Sequence, residues 1–381
     1  MQFWPFVFVV CTALVFHTYV LFPWQMKRQA RKLSAFDPPS HWPEIDILMA
    51  AYNEAEVIAE KVHSVFKSDY PAAKVRLWVG SDASTDGTDA ILERLSTQYP
   101  HLHWQRFEAR TGKPAIINQL AQKASAEILV ITDADAMFAT TMLAKLVAPF
   151  SKPKVGGVQA NTRILTVAGD AVAAQEASYT AREMEIKAGE GLWGAVIGGF
   201  GSAYAVRRQL FRKVPAGFIV DDFYTFADIS RQGYETVFQP EAMTELRVSA
   251  DAAVQFRRKR RIGKGNYQNL LHFTDLLNPF TRLGYTFWSH KALRWLTPWL
   301  ILLAYAAASI SAGQSILMFL AFTGMSALFV LAIIDLMLQQ LGISLSWLRF
   351  LGHFLRMNLA LLLGFFDSLG NSKAVYWNNK K

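Results

Sequence analysis

The hydrophobic positions of this chain follow two kinds of pattern. From Phe3 to Trp24 no charged side chain interrupts the run, and about 20 apolar residues suffice to cross a hydrocarbon core. Further on, strand-like and helix-like periodicities alternate. Ile45–Ala51 reads as a strand, and Val57, Ile58, Val62, Val65 and Phe66 then mark one face of a helix. Val75–Val79 is a second strand, followed by Ala90, Ile91, Leu92 and Leu95 on another helix. Gly112-Lys-Pro-Ala opens a helix with proline in its first turn, and Glu127–Thr132 is a nearly unbroken apolar strand of the kind buried in a parallel sheet. The alternation predicts an α/β layered domain, in which ligands bind beyond the carboxyl ends of the strands.

The apolar ends predict membrane segments. Lys27, Arg28, Arg31 and Lys32 come after the first run, and bulky Phe22, Pro23 and Trp24 occupy its exit. A cleaved signal peptide has the opposite layout, so residues 1–24 read as an uncleaved anchor with residue 27 onward in the cytoplasm. Residues 292–312 and 315–338 predict a transmembrane hairpin. Asp335 lies near its end, where a carboxylate either reaches the interface or serves a proton relay. Arg349, His353, Arg356, Asn358 and Asp367 interrupt the apolar stretch 347–370. With basic Lys380 and Lys381 at the end, the positive-inside rule favours two spans and then an interfacial or re-entrant helix over a third span.

The expected divisions are an anchor (1–24), a basic, proline-rich connector (25–43), a cytoplasmic α/β domain (44–250), basic interfacial helices (251–290), the hairpin (291–340), and a third span or interfacial helix with the basic tail (341–381). The chain is therefore expected to be integral to a membrane, the bacterial inner membrane being the expected one. Composition agrees, with 52% hydrophobic residues yet 39 Lys plus Arg against 30 Asp plus Glu. The single cysteine, Cys11, lies in the anchor and excludes a disulfide framework or a cysteine-based metal site. Much of the net charge of +9 falls at 27–32 and 257–264, where the cytoplasmic domain is expected to meet the bilayer. Anionic lipid is the expected partner of these clusters, and nucleic acid is not.

Polar clusters follow three of the predicted strands: Tyr52-Asn53-Glu54, Ser81-Asp82-Ala-Ser84-Thr85-Asp86-Gly87-Thr88, and Asp133-Ala-Asp135. Taken singly, Asp86 and Thr88 read as helix caps, and Asp-Gly as a turn. Together the clusters converge on one sheet edge. Alternation along an extended segment turns Asp133 and Asp135 the same way around Ala134, and two such carboxylates can hold a hard divalent cation that neutralises a diphosphate.

In order and spacing, Met49-Ala-Ala-Tyr-Asn-Glu54, Ser81–Thr88, Gly112-Lys113, Thr132-Asp-Ala-Asp135 and Val220-Asp-Asp222 resemble the inverting glycosyltransferase family 2 and its GT-A fold. The resemblance covers about residues 44–270, and the flanking spans resemble the membrane-integrated branch that includes cellulose and hyaluronan synthases. It implies that Ala51, Asn53, Glu54 and Asp82 hold the nucleotide base and ribose, that Asp133 contacts nucleotide and sugar, and that Asp135 binds Mg²⁺ or Mn²⁺. Lys113 either adds charge near the nucleotide or is a solvated helix-start lysine. Asp222 matches the family's general base, with Asp221 orienting the site, unless one of the pair merely caps the following helix. Gly198-Gly199-Phe-Gly-Ser202 resembles the acceptor segment, so Gly199 and Ser202 are expected beside the acceptor.

One stretch departs from the pattern. Processive synthases carry Gln-x-x-Arg-Trp, and here Gln255 and Arg258 are in place but Lys259 stands where the tryptophan belongs. Gln255 and Arg258 are thus expected at the acceptor or diphosphate, while the missing ring counts against polymer extension. The resemblance implies transfer of a sugar from a nucleotide donor, UDP-linked, to a lipid or lipid-linked acceptor. The alternatives are a processive polysaccharide synthase, needing a homo-oligomer or export partner for its channel, and a non-catalytic nucleotide-sugar-binding membrane scaffold.

Overall fold

From Phe3 the chain runs as a helix through α1 (Phe3–Phe16), a π-helical turn at His17–Leu21, and α2 (Phe22–Ala30). The structure, a computed structural model, describes residues 3–33, 36, 41–166, 171–247, 252–341, 343 and 345–370. Residues 37–40 of the expected connector and the basic tail from 371 lie outside them. Two units form: an α/β unit (Trp24–Ala252 with Phe273–Thr286) and a helical unit (Met1–Pro23, Ala253–His272 and Phe287–Asn371).

The α/β unit proceeds through β1 (Ile45–Ala51), α3 (Ile58–Phe66), β2 (Val75–Asp82), α4 (Thr88–Gln98), β3 (Leu102–Phe107), α5 (Lys113–Lys123), β4 (Ile128–Asp133), β5 (Ala136–Phe138) and α6 (Met142–Val147). It continues with β6 (Val155–Leu165), α7 (Ala171–Gly191), β7 (Ala203–Arg207), α8 (Asp221–Arg231) and β8 (Glu235–Arg247). The strands form one sheet in the order β3-β2-β1-β4-β7-β6-β8-β5. Strands β1 to β4 are parallel to one another, whereas β7 runs antiparallel to both β4 and β6.

Every residue of β1 is buried, because both faces of the sheet are covered. Ile45, Ile47 and Met49 point to a core shared with Ile58, Val62 and Val65 of α3, Leu92 of α4 and Leu143 of α6. Leu48 and Ala50 point to the opposite core, with Ile116 and Leu120 of α5, Met184 of α7 and Ile229 of α8. This is the α/β layered domain that the periodicity predicts, with a sheet made mixed by the antiparallel β7. At the amino end of β1 the buried Asp46 accepts from Arg76 Nε (2.6 Å), Trp78 Nε1 (3.0 Å), and the Ser125 (2.7 Å) and Ala126 (2.8 Å) amides. One carboxylate thereby ties β2 and the entry to β4 onto β1.

The helical unit contains α9 (Ala252–His272) from Ala253 onward. A short α10 (Arg282–Thr286) ends the α/β unit, and the helical unit resumes with α11 (Leu293–Ser311), α12 (Ile316–Gln340) and α13 (Ser346–Leu369). Thr18 Oγ1 donates to the Ser289 carbonyl (2.6 Å), joining the π-helical turn at His17–Leu21 to another at Phe287–Ala292. Four helices are long and apolar enough to cross a membrane: Phe3–Ala30, Arg282–Ser311, Ile316–Gln339 and Leu348–Leu369. The last falls in the stretch expected to be interfacial or re-entrant. It forms without a break, and three of its charged side chains meet partners: Arg349 faces the buried Asp335 of α12 (3.5 Å), Arg356 bonds Gln339 (3.1 Å), and Asp367 takes a bidentate pair from Arg260 of α9 (2.6 and 2.7 Å).

Candidate active site

Strand register assembles the expected clusters. Ala51 pairs with Ser81 and Ala50 with Asp133, so β1, β2 and β4 end side by side and their loops leave from one edge. Ala51 and Glu54 are buried, and Asn53 takes a left-handed backbone (φ 53°). That turn lets the Asn53 amide donate to Ser84 Oγ (3.2 Å) while its side-chain oxygen accepts from the Thr85 amide (2.8 Å). The cap position of α4 is Gly87, so neither Asp86 nor Thr88 is the expected cap; Asp86, just outside the helix, accepts from the Thr88 amide (3.1 Å). They also stitch the loops together, through Ala55 N–H to Asp86 (3.0 Å) and Glu54 N–H to Thr88 (2.9 Å). Asp82, fully buried, accepts from the Thr111 (2.5 Å) and Gly112 (3.1 Å) amides and from Arg110 Nε (3.1 Å). The Arg110 guanidinium lies 3.3 Å from the centre of the Tyr52 ring, which links this loop back to β1.

A group of charges occupies the junction of α5, β4 and α8. The Lys113 ammonium is 2.6 Å from Asp133 and 3.9 Å from Asp221, so it is not a solvated helix-start lysine. Burial works against its charge, but Asp133 and Asp221 outweigh that and hold it above the usual lysine range. Asp221 and Asp222 are the first two residues of α8, and the cap position is Val220, so neither acid is the cap. Asp222 is pushed up to about 6, chiefly by burial and then by the charge of Asp221, against the opposing pull of Lys113 and the Phe223 amide. A carboxylate so poised is suited to taking a proton near neutral pH.

The glycine-rich segment before β7 lies against these acids. The Gly199 amide donates to the Asp222 carbonyl (3.1 Å), and a Cβ on Gly201 would stand 2.8 Å from Asp133 Oδ2. Only glycine leaves that carboxylate its place. Ser202, expected beside the acceptor, is buried immediately before β7, its hydroxyl bonded to Thr162 of β6. Its contribution is to fix the segment's backbone. Gln255 and Arg258 belong to α9 in the helical unit, the former buried and the latter exposed.

Asp133 and Asp135 are half-buried around a fully buried Ala134. Among the described residues there is no group of three or more His, Cys, Asp or Glu side chains able to hold a metal ion. Two carboxylates nonetheless fit Mg²⁺ or Mn²⁺, which keep waters and substrate phosphates as their remaining ligands.

Comparison with known proteins bears on the same residues. Residues 46–214 match the model of glycosyl transferase family 2, a span that contains every strand-end cluster described above. The chain carries a glycosyl transferase family 2 domain. It is 31% identical over 251 residues to a beta-monoglucosyldiacylglycerol synthase of Nostoc sp., covering 62% of this chain and 51% of that protein. It is 24% identical over 231 residues to a poly-beta-1,6-N-acetyl-D-glucosamine synthase of Staphylococcus epidermidis, covering 60% and 55%. The chain thus spans about half the length of the curated relatives it matches. The mannosyltransferase PcManGT from Pyrobaculum calidifontis, solved in complex with GDP-Man and Mn²⁺, superposes with a TM-score of 0.69 at 23% identity over 96% of this chain and 99% of that one. The family 2 domain therefore has the expected GT-A fold.

Arg110, Tyr204 and Lys61 escape the motif reading. Arg110 sits in a loop with no periodic signal. Tyr204 is fully buried on β7, where burial and then Asp221 raise its hydroxyl well above the tyrosine range. Lys61 had a legible signal: at three residues from Ile58 and one from Val62 it falls on the apolar stripe of α3, where a charge is out of place.

Proposed function

We propose that the protein is a membrane-bound inverting glycosyltransferase that moves a sugar from a nucleotide donor, UDP-linked, to a lipid or lipid-linked acceptor. The observation that carries this reading is the placing of Asp222, raised to about 6, beside Gly199 and within one charge cluster with Lys113 and Asp133. Asp222 accepts the proton of the acceptor hydroxyl as that oxygen attacks the anomeric carbon from the face opposite the leaving group. Lys113 holds Asp133 in position and keeps a positive charge where the diphosphate departs. Bound at Asp133 and Asp135, Mg²⁺ or Mn²⁺ supplies Lewis-acid stabilisation of that leaving group. Asp82 and the bonded loops at Asn53 and Glu54 form the nucleoside end of the cleft.

Four helices able to span a membrane and the name of the Nostoc relative support a lipid acceptor. The basic residues at 27–32 support a cytoplasmic catalytic face, in a bacterial inner membrane. A second reading, a processive polysaccharide synthase, draws on the Staphylococcus relative, and Lys259 in the tryptophan position counts against it.

Purified protein given UDP-sugars, Mn²⁺ and membrane lipid extract is expected to release UDP and yield a lipid heavier by one sugar by mass spectrometry. A long polymer would overturn the lipid reading in favour of the second. No UDP release from any nucleotide sugar, with donor still bound, would leave a non-catalytic scaffold.

A further inference from the structure

Lys61 of α3 is fully buried. Its ammonium donates to the Thr132 hydroxyl at 2.9 Å and to the Ala136 carbonyl, and lies 3.5 Å from the centre of the Phe138 ring. Thr132 and Ala136 are the residues immediately before and after Asp133-Ala134-Asp135. One side chain therefore grips both ends of the two-carboxylate turn. Two oxygens and an aromatic face meet the three hydrogens of the ammonium, so the group is fully used.

The grip extends further. The Thr132 hydroxyl donates onward to the Ser202 carbonyl (2.6 Å), and the Asp133 amide donates to the Gly201 carbonyl (3.1 Å). Simple packing does not call for a lysine here, since a methionine of similar length fills such a space without burying an ionisable group. Burial pushes the Lys61 pKa well down, and Asp133 and then Asp135 oppose that shift, which places both carboxylates within its electrostatic reach.

We propose that Lys61 is a positioning residue of the metal site: by bridging Thr132 and Ala136 it holds Asp133 and Asp135 in the arrangement a divalent cation requires, and so sets the affinity for that cation. This rests on the reading that Asp133 and Asp135 hold the metal. Lys61 itself touches neither donor nor acceptor.

The test uses the full-length protein in detergent, with UDP present and free Mn²⁺ followed by electron paramagnetic resonance. Lys61→Met, which keeps length and volume but removes both hydrogen bonds, is expected to weaken Mn²⁺ binding about tenfold, the lower end of what supporting partners of metal ligands contribute. Thr132→Val removes the acceptor from the other side of the same bridge. It is expected to act in the same direction, with the double variant little worse than the weaker single one. Asp135→Asn separates the two levels of the argument. If it binds Mn²⁺ as the wild type does, the metal reading itself fails. If it loses Mn²⁺ while Lys61→Met keeps or improves the wild-type affinity, the inference about Lys61 alone is overturned. Should Lys61→Met not fold, Thr132→Val decides the matter: unchanged Mn²⁺ affinity there refutes the bridge.

Discussion

The Lys113 ammonium stands 2.6 Å from Asp133 Oδ1, joining the first residue of α5 to the last residue of β4. The residue that opens α5 thus reaches the acid that ends β4, and the same ammonium faces Asp221 at 3.9 Å. Asp133 and the acid pair of α8 consequently share one cation. A change at any of these residues is felt by the others.

The pH profile reports the proposed base. Asp222, raised to about 6 by burial and by Asp221, accepts a proton only when ionised. kcat/KM is expected to fall about tenfold per pH unit below pH 6, because this parameter follows groups of the free enzyme. Asp222→Asn should lower kcat by a factor of about 10³ with UDP binding retained. Wild-type turnover in that variant would remove Asp222 from the role.

Lys113→Met should move the acidic limb upward. Lys113 is among the influences that lower Asp222, so its loss leaves two neighbouring carboxylates facing Asp222 without their cation. The measurement is again kcat/KM against pH, now with the break above 6. A break at or below the wild-type position contradicts the shared-cation arrangement.

Stability should improve where activity is lost. The folded-state pKa of Asp222 lies above the unfolded value of about 3.9, so the stability tied to its protonated form is present below that value and vanishes as pH rises through 6. Asp222→Asn mimics the protonated acid. Thermal unfolding followed by tryptophan fluorescence should give equal Tm values for variant and wild type at pH 4 and a higher Tm for the variant at pH 7.5.

Asp46 makes the converse case at the far end of β1. Burial acts against its charge, but Arg76, the Ala126 amide, Trp78 and the Ser125 amide together hold it below the usual carboxylate range. Its contribution is present above that range and is lost as pH falls through the lowered value. Asp46→Ala should destabilise by about 3 kcal/mol while leaving kcat per folded molecule unchanged. A fall in kcat equal to that of an active-site variant would show that the two ends of the strand are coupled.

The parallel strands, their ends and the acids on them were legible because a strand buried on both faces leaves a continuous apolar run, and the first polar residue after it must lie at the edge. Asp82, Asp133 and Asp135 follow directly. Lys113 and Asp222 were legible as residues, but their mutual charge balance depends on α5 and α8 meeting, which no local period encodes. Ser202 reads as an acceptor contact from its motif, and only the approach of Thr162 on β6 turns its hydroxyl to the interior. Asp46 reads as an ordinary polar position in β1, and only pairing with β2 and β4 supplies its donors. In the 346–369 helix the arginines obscure the apolar length in the sequence, and the fold supplies Asp335 and Gln339 on the preceding helix to receive them.

The reversal of β7 divides labour by chain direction. Parallel strands deliver to the edge the loops that follow them, and those loops carry Asn53, Asp82 and Asp135. Because β7 runs the other way, with Ala203 beside Thr132, it delivers the segment that precedes it, carrying Gly199 to the proposed base and Gly201 to Asp133. Under the proposed function, the stretch before β7 would then vary with the acceptor, but Gly201 would not, since the Asp133 carboxylate holds it to glycine.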